Sequence, residues 1–198
     1  FTVSTTYLNR VQTIVDWSLN QGLYTIIDFH GAELKSEFLE TFSDSNESYT
    51  SPTSAKRAAD LMKFKSIWIQ IANRFKNHPP TLLFEVVNEP YFEVSANEMN
   101  EINIMIIEAI RSTGGNNSTR KIIITGGAST SYQAPTAIGN QVIQSDSNLI
   151  ASFHYYVPFN FTASSRENYN NFSWGTNADK STVDTHFDSV RQWSETND

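Results

Sequence analysis

Short apolar segments that alternate with amphipathic helices are the feature of this sequence that most constrains its fold. Four segments are typical of buried strands, because they are short, rich in β-branched and aromatic residues, and largely apolar on both faces. They are residues 23–29, 82–87, 121–125 and 149–155. Helical spacing of apolar residues predicts helices before, between and after them. Since βα units connect by right-handed crossovers, we expect an α/β fold with one sheet of four parallel strands.

The predicted helices have recognisable ends. Ser95 and Glu98 form the capping-box pattern at the start of the helix between the second and third strands. Gly22 follows the first helix where a C-cap would lie. The pattern allows at most a short helix at residues 136–143, and we expect the last helix at residues 181–194.

Composition excludes several classes of function. The 198 residues are 39% hydrophobic, which suits one well-buried domain over residues 1–198. A net charge of -7 without a basic cluster argues against a nucleic-acid partner. No apolar run approaches the roughly 18 residues of a membrane span, so we expect no membrane partner. The chain has 0 Cys, which excludes disulfides and thiolate metal sites.

Two architectures fit this order of elements. One is an open doubly wound sheet, and the other is part of a (β/α)8 barrel, which needs about 250 residues and eight strands. No glycine-rich phosphate-binding loop follows any predicted strand, and the segment ITGGAS lacks the spacing of such loops. A nucleotide site, the commonest use of the open sheet, is therefore not expected.

Polar residues stand where three of the four predicted strands end. His30 follows the first strand, Asn88 and Glu89 follow the second, and His154 and Tyr156 lie at the end of the fourth. Each alone has a structural explanation, such as a satisfied histidine, a helix cap or rim packing. Their joint position at the carboxyl ends of parallel strands, where such sheets carry chemistry, predicts one functional site.

Three segments carry a family resemblance. LLFEVVNEPY resembles the fourth-strand signature of glycoside hydrolase family 5, a family of retaining (β/α)8 glycosidases. IIDFHG is similar to its third strand, and SFHYYVPFNFT is similar to its sixth. The segments occur in the family's order, and the resemblance covers essentially all 198 residues. It implies a partial (β/α)8 barrel made of the family's strands three to six.

The resemblance implies roles for the residues at the strand ends. Glu89 would be the general acid/base, and Asn88 would hold the sugar 2-OH beside the scissile bond. His30 would line the subsite for the glycone, while His154 and Tyr156 would orient the carboxylates. These residue types suit an acid whose pKa must be raised toward neutrality and a transition state that strengthens bonds to the 2-OH.

The implied activity is endo-acting, retaining hydrolysis of β-1,4-linked glucan by a secreted enzyme, with no metal or cofactor. A β-mannanase or xyloglucanase of the same family is an alternative. A carbohydrate-binding protein or a half-barrel scaffold that lacks catalysis is another. Trp174 resembles a subsite tryptophan that would stack on a sugar ring, although a loop anchor packed on Phe172 or Tyr169 would have the same pattern.

The sequence also departs from the family's pattern. The family's nucleophile is a Glu on its seventh strand, whereas this chain resembles the family only as far as the sixth helix. We therefore expect the chain alone to be inactive, and we expect missing barrel segments or another chain to cover its outer strands. Gly31 follows His30 where several members have a second His. The segment ITGGASTSYQ has no subsite Trp, and Tyr132 would partly replace it.

Overall fold

The predicted parallel sheet is confirmed. The computed structural model describes residues 1–31, 55–90, 94–127, 130–163 and 172–197. The strands are β1 (Thr25–Asp28), β2 (Leu82–Glu85), β3 (Ile122–Ile124) and β4 (Leu149–Ala151). They lie side by side in the order β1-β2-β3-β4, and each neighbouring pair is parallel. Their carboxyl ends therefore share one edge of the sheet.

Each strand is shorter than predicted. Residues beyond the strand ends leave the regular ladder, but some of them keep single hydrogen bonds to the adjacent segment of the sheet. The Val86 N–H donates to the Ile123 carbonyl at 3.0 Å, and the Asn88 N–H donates to the Phe29 carbonyl at 3.1 Å. After β4, the His154 N–H donates to Thr130 in the loop beyond β3 at 2.7 Å. Asn88 and His154 thus lie just beyond the paired strand residues, and backbone hydrogen bonds still hold them to adjacent segments.

Helices flank these strands in the predicted alternation. They are α1 (Thr5–Asn20), α2 (Ala55–Phe75), α3 (Ala96–Arg111), α4 (Asn140–Ile143), α5 (Phe159–Thr162) and α6 (Asn177–Asn197). Two 3-10 turns, Gly115–Ser118 and Ala134–Ala137, complete the described elements. The short helix expected at residues 136–143 is divided between the second 3-10 turn and α4. None of the described helices is long and apolar enough to cross a membrane.

The helix caps explain where α3 and α6 begin. The Ser95 hydroxyl accepts from the Glu98 N–H at 3.2 Å, and the Glu98 carboxylate accepts from the Ser95 N–H at 3.0 Å, so the predicted capping box is confirmed. Helix α6 begins earlier than predicted. Its start is capped by the reciprocal pair Thr176 and Asp179, whereas the prediction began at the first apolar residues.

The core lies between the sheet and helices α2 and α3. Residues of β2 alternate: Leu82 and Phe84 face this core, whereas Leu83 and Glu85 face the opposite side of the sheet. Trp68 of α2 is fully buried, and its indole N–H donates to the Val86 carbonyl at 3.1 Å. This contact ties α2 to the segment that leads from β2 to the predicted site.

Candidate active site

Glu89 and His154, predicted from separate strands, are in direct contact. The His154 Nδ1 lies 2.6 Å from Glu89 Oε1, and the two side chains are 33% and 23% exposed. A charge-assisted hydrogen bond of this length is strong, and partial burial limits its screening by water. The contact fixes one carboxylate oxygen of Glu89 while the group stays accessible from the cleft.

The backbone at Glu89 has an unusual conformation. Its φ of 42° lies in the left-handed region, which non-glycine residues rarely adopt. Such positions cost about 1–3 kcal/mol each and persist only where the surroundings hold them. Here the preceding residue, Asn88, is buried and bonded through its N–H to the Phe29 carbonyl. The conformation turns the Glu89 side chain toward His154 on the other side of β3.

Tyr156 joins the same group. The nearby charge of Glu89 raises the pKa of the Tyr156 hydroxyl, with smaller contributions from burial and from its hydrogen bond to Glu89. The phenol therefore keeps its proton, and its O–H donates a hydrogen bond to the Glu89 carboxylate. His154 and Tyr156 therefore both contact Glu89. Their predicted role of orienting the carboxylates stays a prediction.

His30 stands at the same edge but has a different partner. Its Nδ1 lies 2.6 Å from Asp28 Oδ2, and its side chain is 73% exposed. Asp28 was not among the predicted site residues. The sequence could have indicated this contact. Asp28 is two residues before His30, and residues two apart in an extended strand point to the same face.

Glu85 is a second carboxyl group that the sequence analysis missed. It lines a narrow groove that also contains Glu89, His154 and residues just beyond the ends of β3 and β4. Burial, followed by the charge of Asp28, raises the pKa of Glu85. Glu85 lies in β2, and Glu89 follows four residues later, beyond the end of the strand. Both acids line this groove.

The remaining predicted residues lie farther along the rim. Trp174 is 38% exposed, and its ring centroid lies 6.1 Å from that of Phe161, at an interplanar angle of 35°. It keeps an exposed face, while the contact with Phe161 also fits a loop anchor. Tyr169, the other proposed anchor partner, is outside the described residues. The Tyr132 ring stacks on His186 at 3.8 Å, so one of its faces is already covered.

The described residues contain no group of three or more His, Cys, Asp or Glu side chains that could hold a metal ion. The arrangement instead offers carboxyl groups held by imidazole and phenol groups at an open edge. Such a set can donate and accept protons at a bound substrate.

The known proteins that this chain resembles include endoglucanases. Over 197 residues, the chain is 37% identical to Endoglucanase H of Acetivibrio thermocellus, covering 100% of this chain and 19% of that protein. The structure matches endoglucanase Cel5A of Thermotoga maritima with a TM-score of 0.82 and 25% identity, over 100% of this chain and 58% of that one. It also matches a tri-modular GH5 endo-beta-1,4-glucanase of Bacillus licheniformis, complexed with cellotetraose, with a TM-score of 0.79 and 27% identity, over 97% and 34%.

The chain thus spans less than two thirds of each of these relatives. Its four parallel strands and their helices align with part of a (β/α)8 barrel, which confirms the predicted partial barrel. The model of the cellulase family matches residues 1–198. The chain therefore belongs to the cellulase family, glycosyl hydrolase family 5.

Proposed function

We propose that the complete barrel hydrolyses internal β-1,4 linkages of a cellulose-type glucan with retention of configuration, and that this chain supplies the acid/base half of the site. The observation that carries the proposal is the 2.6 Å contact between Glu89 and His154 at the carboxyl edge of the sheet. Family membership and the endoglucanase relatives support the reaction class.

In this proposal Glu89 moves the protons. Its carboxylic acid gives a proton to the glycosidic oxygen as the bond to the sugar breaks, and its carboxylate later takes a proton from the attacking water. His154 and Tyr156 hold the carboxyl group in place through both steps. Asn88 would hydrogen-bond the sugar 2-OH, and His30 would contact the glycone.

The nucleophile is proposed to come from another part of the barrel. Retaining chemistry needs a second carboxylate about 5 to 5.5 Å from the first. We propose that residues 1–198 form a single, incomplete barrel domain and that further barrel segments, or another chain, provide this group. Exposed apolar side chains on the outer strands or directly before β1 support the need for a cover: Leu23, Tyr24, Ile26 and Ile150.

Aromatic side chains at the mouth support a sugar substrate. Trp174, Phe172 and Phe161 keep exposed faces near one another along the chain after β4, and sugar rings stack on such faces. We propose Trp174 as the residue that stacks on the glucan. Because a glucan polymer is too large to enter a cell, we also propose that the protein acts outside it.

The test is the variant Glu89→Gln in the complete barrel. It removes the ionisable proton but keeps the shape, so turnover of unactivated β-1,4-glucan should fall about 10²- to 10⁴-fold. An aryl glycoside with a good leaving group should still form the glycosyl intermediate rapidly, and azide should then restore turnover with a β-glycosyl azide as product. Glu108→Gln, at an exposed position of α3, is the matched control.

Equal activity of wild type and Glu89→Gln on the unactivated glucan would remove Glu89 from the mechanism. Preference for mannan or xyloglucan over cellulose-type glucan would favour the corresponding activity of the same family. If the complete protein bound oligosaccharides but hydrolysed no β-glycan, the carbohydrate-binding alternative would replace the proposal.

A further inference from the structure

A pair of carboxyl groups, Asp28 of β1 and Glu85 of β2, lies deeper in the sheet than Glu89. We propose that Glu85 is a neutral carboxylic acid that donates a hydrogen bond to Asp28 Oδ1. Glu85 then acts as a positioning residue, since it fixes the carboxylate that holds His30. The link to substrate binding through His30 rests on the proposed function, whereas the protonated pair itself does not.

The strand register brings the two groups together. Asp28 of β1 and Glu85 of β2 are direct partners in the parallel ladder, and neighbouring strands lie about 4.8 Å apart. Phe29 and Phe84, adjacent to them in sequence, face the helices and belong to the hydrophobic core. By alternation, both carboxyl side chains therefore point to the interior face.

One oxygen of Asp28 lacks a partner. Its Oδ2 is paired with His30 Nδ1 at 2.6 Å. Its Oδ1 is buried and has no hydrogen-bond partner within the described residues. A buried acceptor without a donor costs about 1–3 kcal/mol, more when it carries charge. A proton on the neighbouring Glu85 would supply the missing donor.

The surroundings of Glu85 favour its protonated form. Burial and then the charge of Asp28 raise its pKa, whereas His154, a hydrogen bond from Ser152 and His30 act in the opposite direction more weakly. The described groove residues contributed by the segment after β3, Thr125 and Thr130, carry no charge, so they do not offset this repulsion. Two ionised carboxylates at adjacent positions would repel, and one proton between them turns the repulsion into a hydrogen bond.

A neutral Glu85 can form hydrogen bonds with two of its polar neighbours, Asp28 and Ser152. Its hydroxyl donates to Asp28 Oδ1, and its carbonyl oxygen accepts from the Ser152 hydroxyl. Asp28 then has both oxygens fixed, so the His30 ring has one preferred orientation at the rim. The proton stays on Glu85 throughout, and no bond is made or broken at this residue.

The protonation state can be measured without any assay of activity. Carbon-13 NMR of the glutamate side-chain carboxyls should show Glu85 titrating clearly above the ordinary Glu pKa of about 4.3. Asp28→Asn removes the neighbouring charge and should move the Glu85 titration toward lower pH. Titration of Glu85 in the ordinary range, or no response to Asp28→Asn, would overturn the proposal.

Kinetics in the complete barrel test the positioning role. Glu85→Gln keeps a donor for Asp28 and should leave KM near the wild-type value, whereas Glu85→Leu loses the donor and should raise KM about tenfold. In the wild type, KM should rise as pH increases through the raised pKa of Glu85, because the donor is lost. This rise should be absent in Glu85→Gln. Equal KM values in the two variants, or a retained pH dependence in Glu85→Gln, would contradict the role.

The two proposals can fail separately. If the complete protein hydrolysed no β-glycan, the proposed function would fall, and the carbon-13 titration would still decide whether Glu85 holds the proton. If hydrolysis occurred but Glu85 titrated in the ordinary range, only the present inference would fall.

Discussion

The two ends of the sheet use charged residues in opposite ways. At the amino end, Arg120 is 1% exposed, and its N–H groups bond to the Asn117 amide oxygen and to four backbone carbonyls: Phe75, His78, Pro79 and Leu82. At the carboxyl end, Glu89 and His154 are partly exposed and bonded to each other. The amino end therefore holds its charge in a fixed, water-excluded arrangement, whereas the carboxyl end leaves its paired groups partly open to solvent.

The pKa directions show the same contrast. Burial lowers the pKa of Arg120 to about 10, so it is still charged at neutral pH and no proton exchange is available there. Burial raises the pKa of Glu85 at the carboxyl end, so burial there favours the neutral form of an acid. In parallel barrels the first kind of end serves stability and the second serves chemistry.

The largest effect on folding should come from Arg120→Met. Methionine fills part of the volume and packs on Phe84, which the guanidinium now covers at 4.9 Å. It removes five buried hydrogen bonds, although three of the carbonyls keep another donor: Phe75 from the His78 N–H, Pro79 from the Leu82 N–H and His78 from the Asn116 side-chain amide. We expect a loss of about 3 to 5 kcal/mol in the free energy of unfolding, measured by urea denaturation. Arg10→Met, at an exposed position of α1, should change it little. A loss under about 1 kcal/mol for Arg120→Met would mean that water replaces the guanidinium.

The carboxyl end was more predictable from sequence than the amino end. His30, Glu89 and His154 could be identified because they follow apolar strands, and parallel strands bring such positions together by geometry alone. Arg120 gave no such signal, since it adjoins Lys121 and looks like a solvated basic pair before a strand. The backbone carbonyls that it binds lie 38 to 45 residues away in the chain, so only the folded structure reveals them.

Strand ends and backbone strain were also beyond the sequence. Apolar character continues to Val87, so the pattern could not indicate that the ladder of β2 stops at Glu85. Glu89 has its positive φ next to Asn88, whose N–H is bonded to the Phe29 carbonyl just beyond β1. A contact between such distant segments is a tertiary constraint. Asp28 and Glu85 were read as parts of strands because their neighbours are apolar, although their register makes them a pair.

A second, smaller effect is expected at Asp146, which binds Arg111 at the amino end with two hydrogen bonds of 2.5 and 3.1 Å. Burial opposes its ionisation, but bonds from Arg111 and from the Asn148 N–H prevail and lower its pKa. The folded state therefore binds fewer protons than the unfolded state, so this stabilisation is present above the unfolded pKa and is lost as pH falls through the lower folded value.

The variant Asp146→Asn should thus lose about 1 to 3 kcal/mol of unfolding free energy at pH 7. The difference from wild type should narrow as pH falls below about 4, where the wild-type carboxylate also becomes protonated. Urea denaturation at several pH values measures both. Asp184→Asn, at an exposed position of α6, is the control. A difference that stayed constant down to pH 3 would show that the loss arises from packing and not from the charge.

The smallest effect on stability is expected at Tyr155. This residue tests whether the role of a side chain at the carboxyl end also depends on the face of the sheet that it occupies. Tyr155 lies between His154 and Tyr156 in sequence, at the carboxyl end, but it points outward. Its hydroxyl hydrogen-bonds to His186 Nδ1 of α6 at 2.9 Å, and its ring meets Phe187 at 5.2 Å. Burial raises its pKa, so it remains a donor at neutral pH.

If residues on the outward face serve stability and not catalysis, Tyr155→Phe should lower the free energy of unfolding by about 1 kcal/mol, the value of one hydrogen bond. Catalysis by the complete barrel should stay nearly unchanged. The loss should be local: amide hydrogen exchange should speed up in α6 around His186, while the amides of β2 keep their protection. Tyr7→Phe, at an exposed position of α1, should alter neither. A fall in kcat at constant stability would instead mean that this outward contact helps to hold His154 against Glu89, and the division between stabilising and reacting residues would then fail at the carboxyl end.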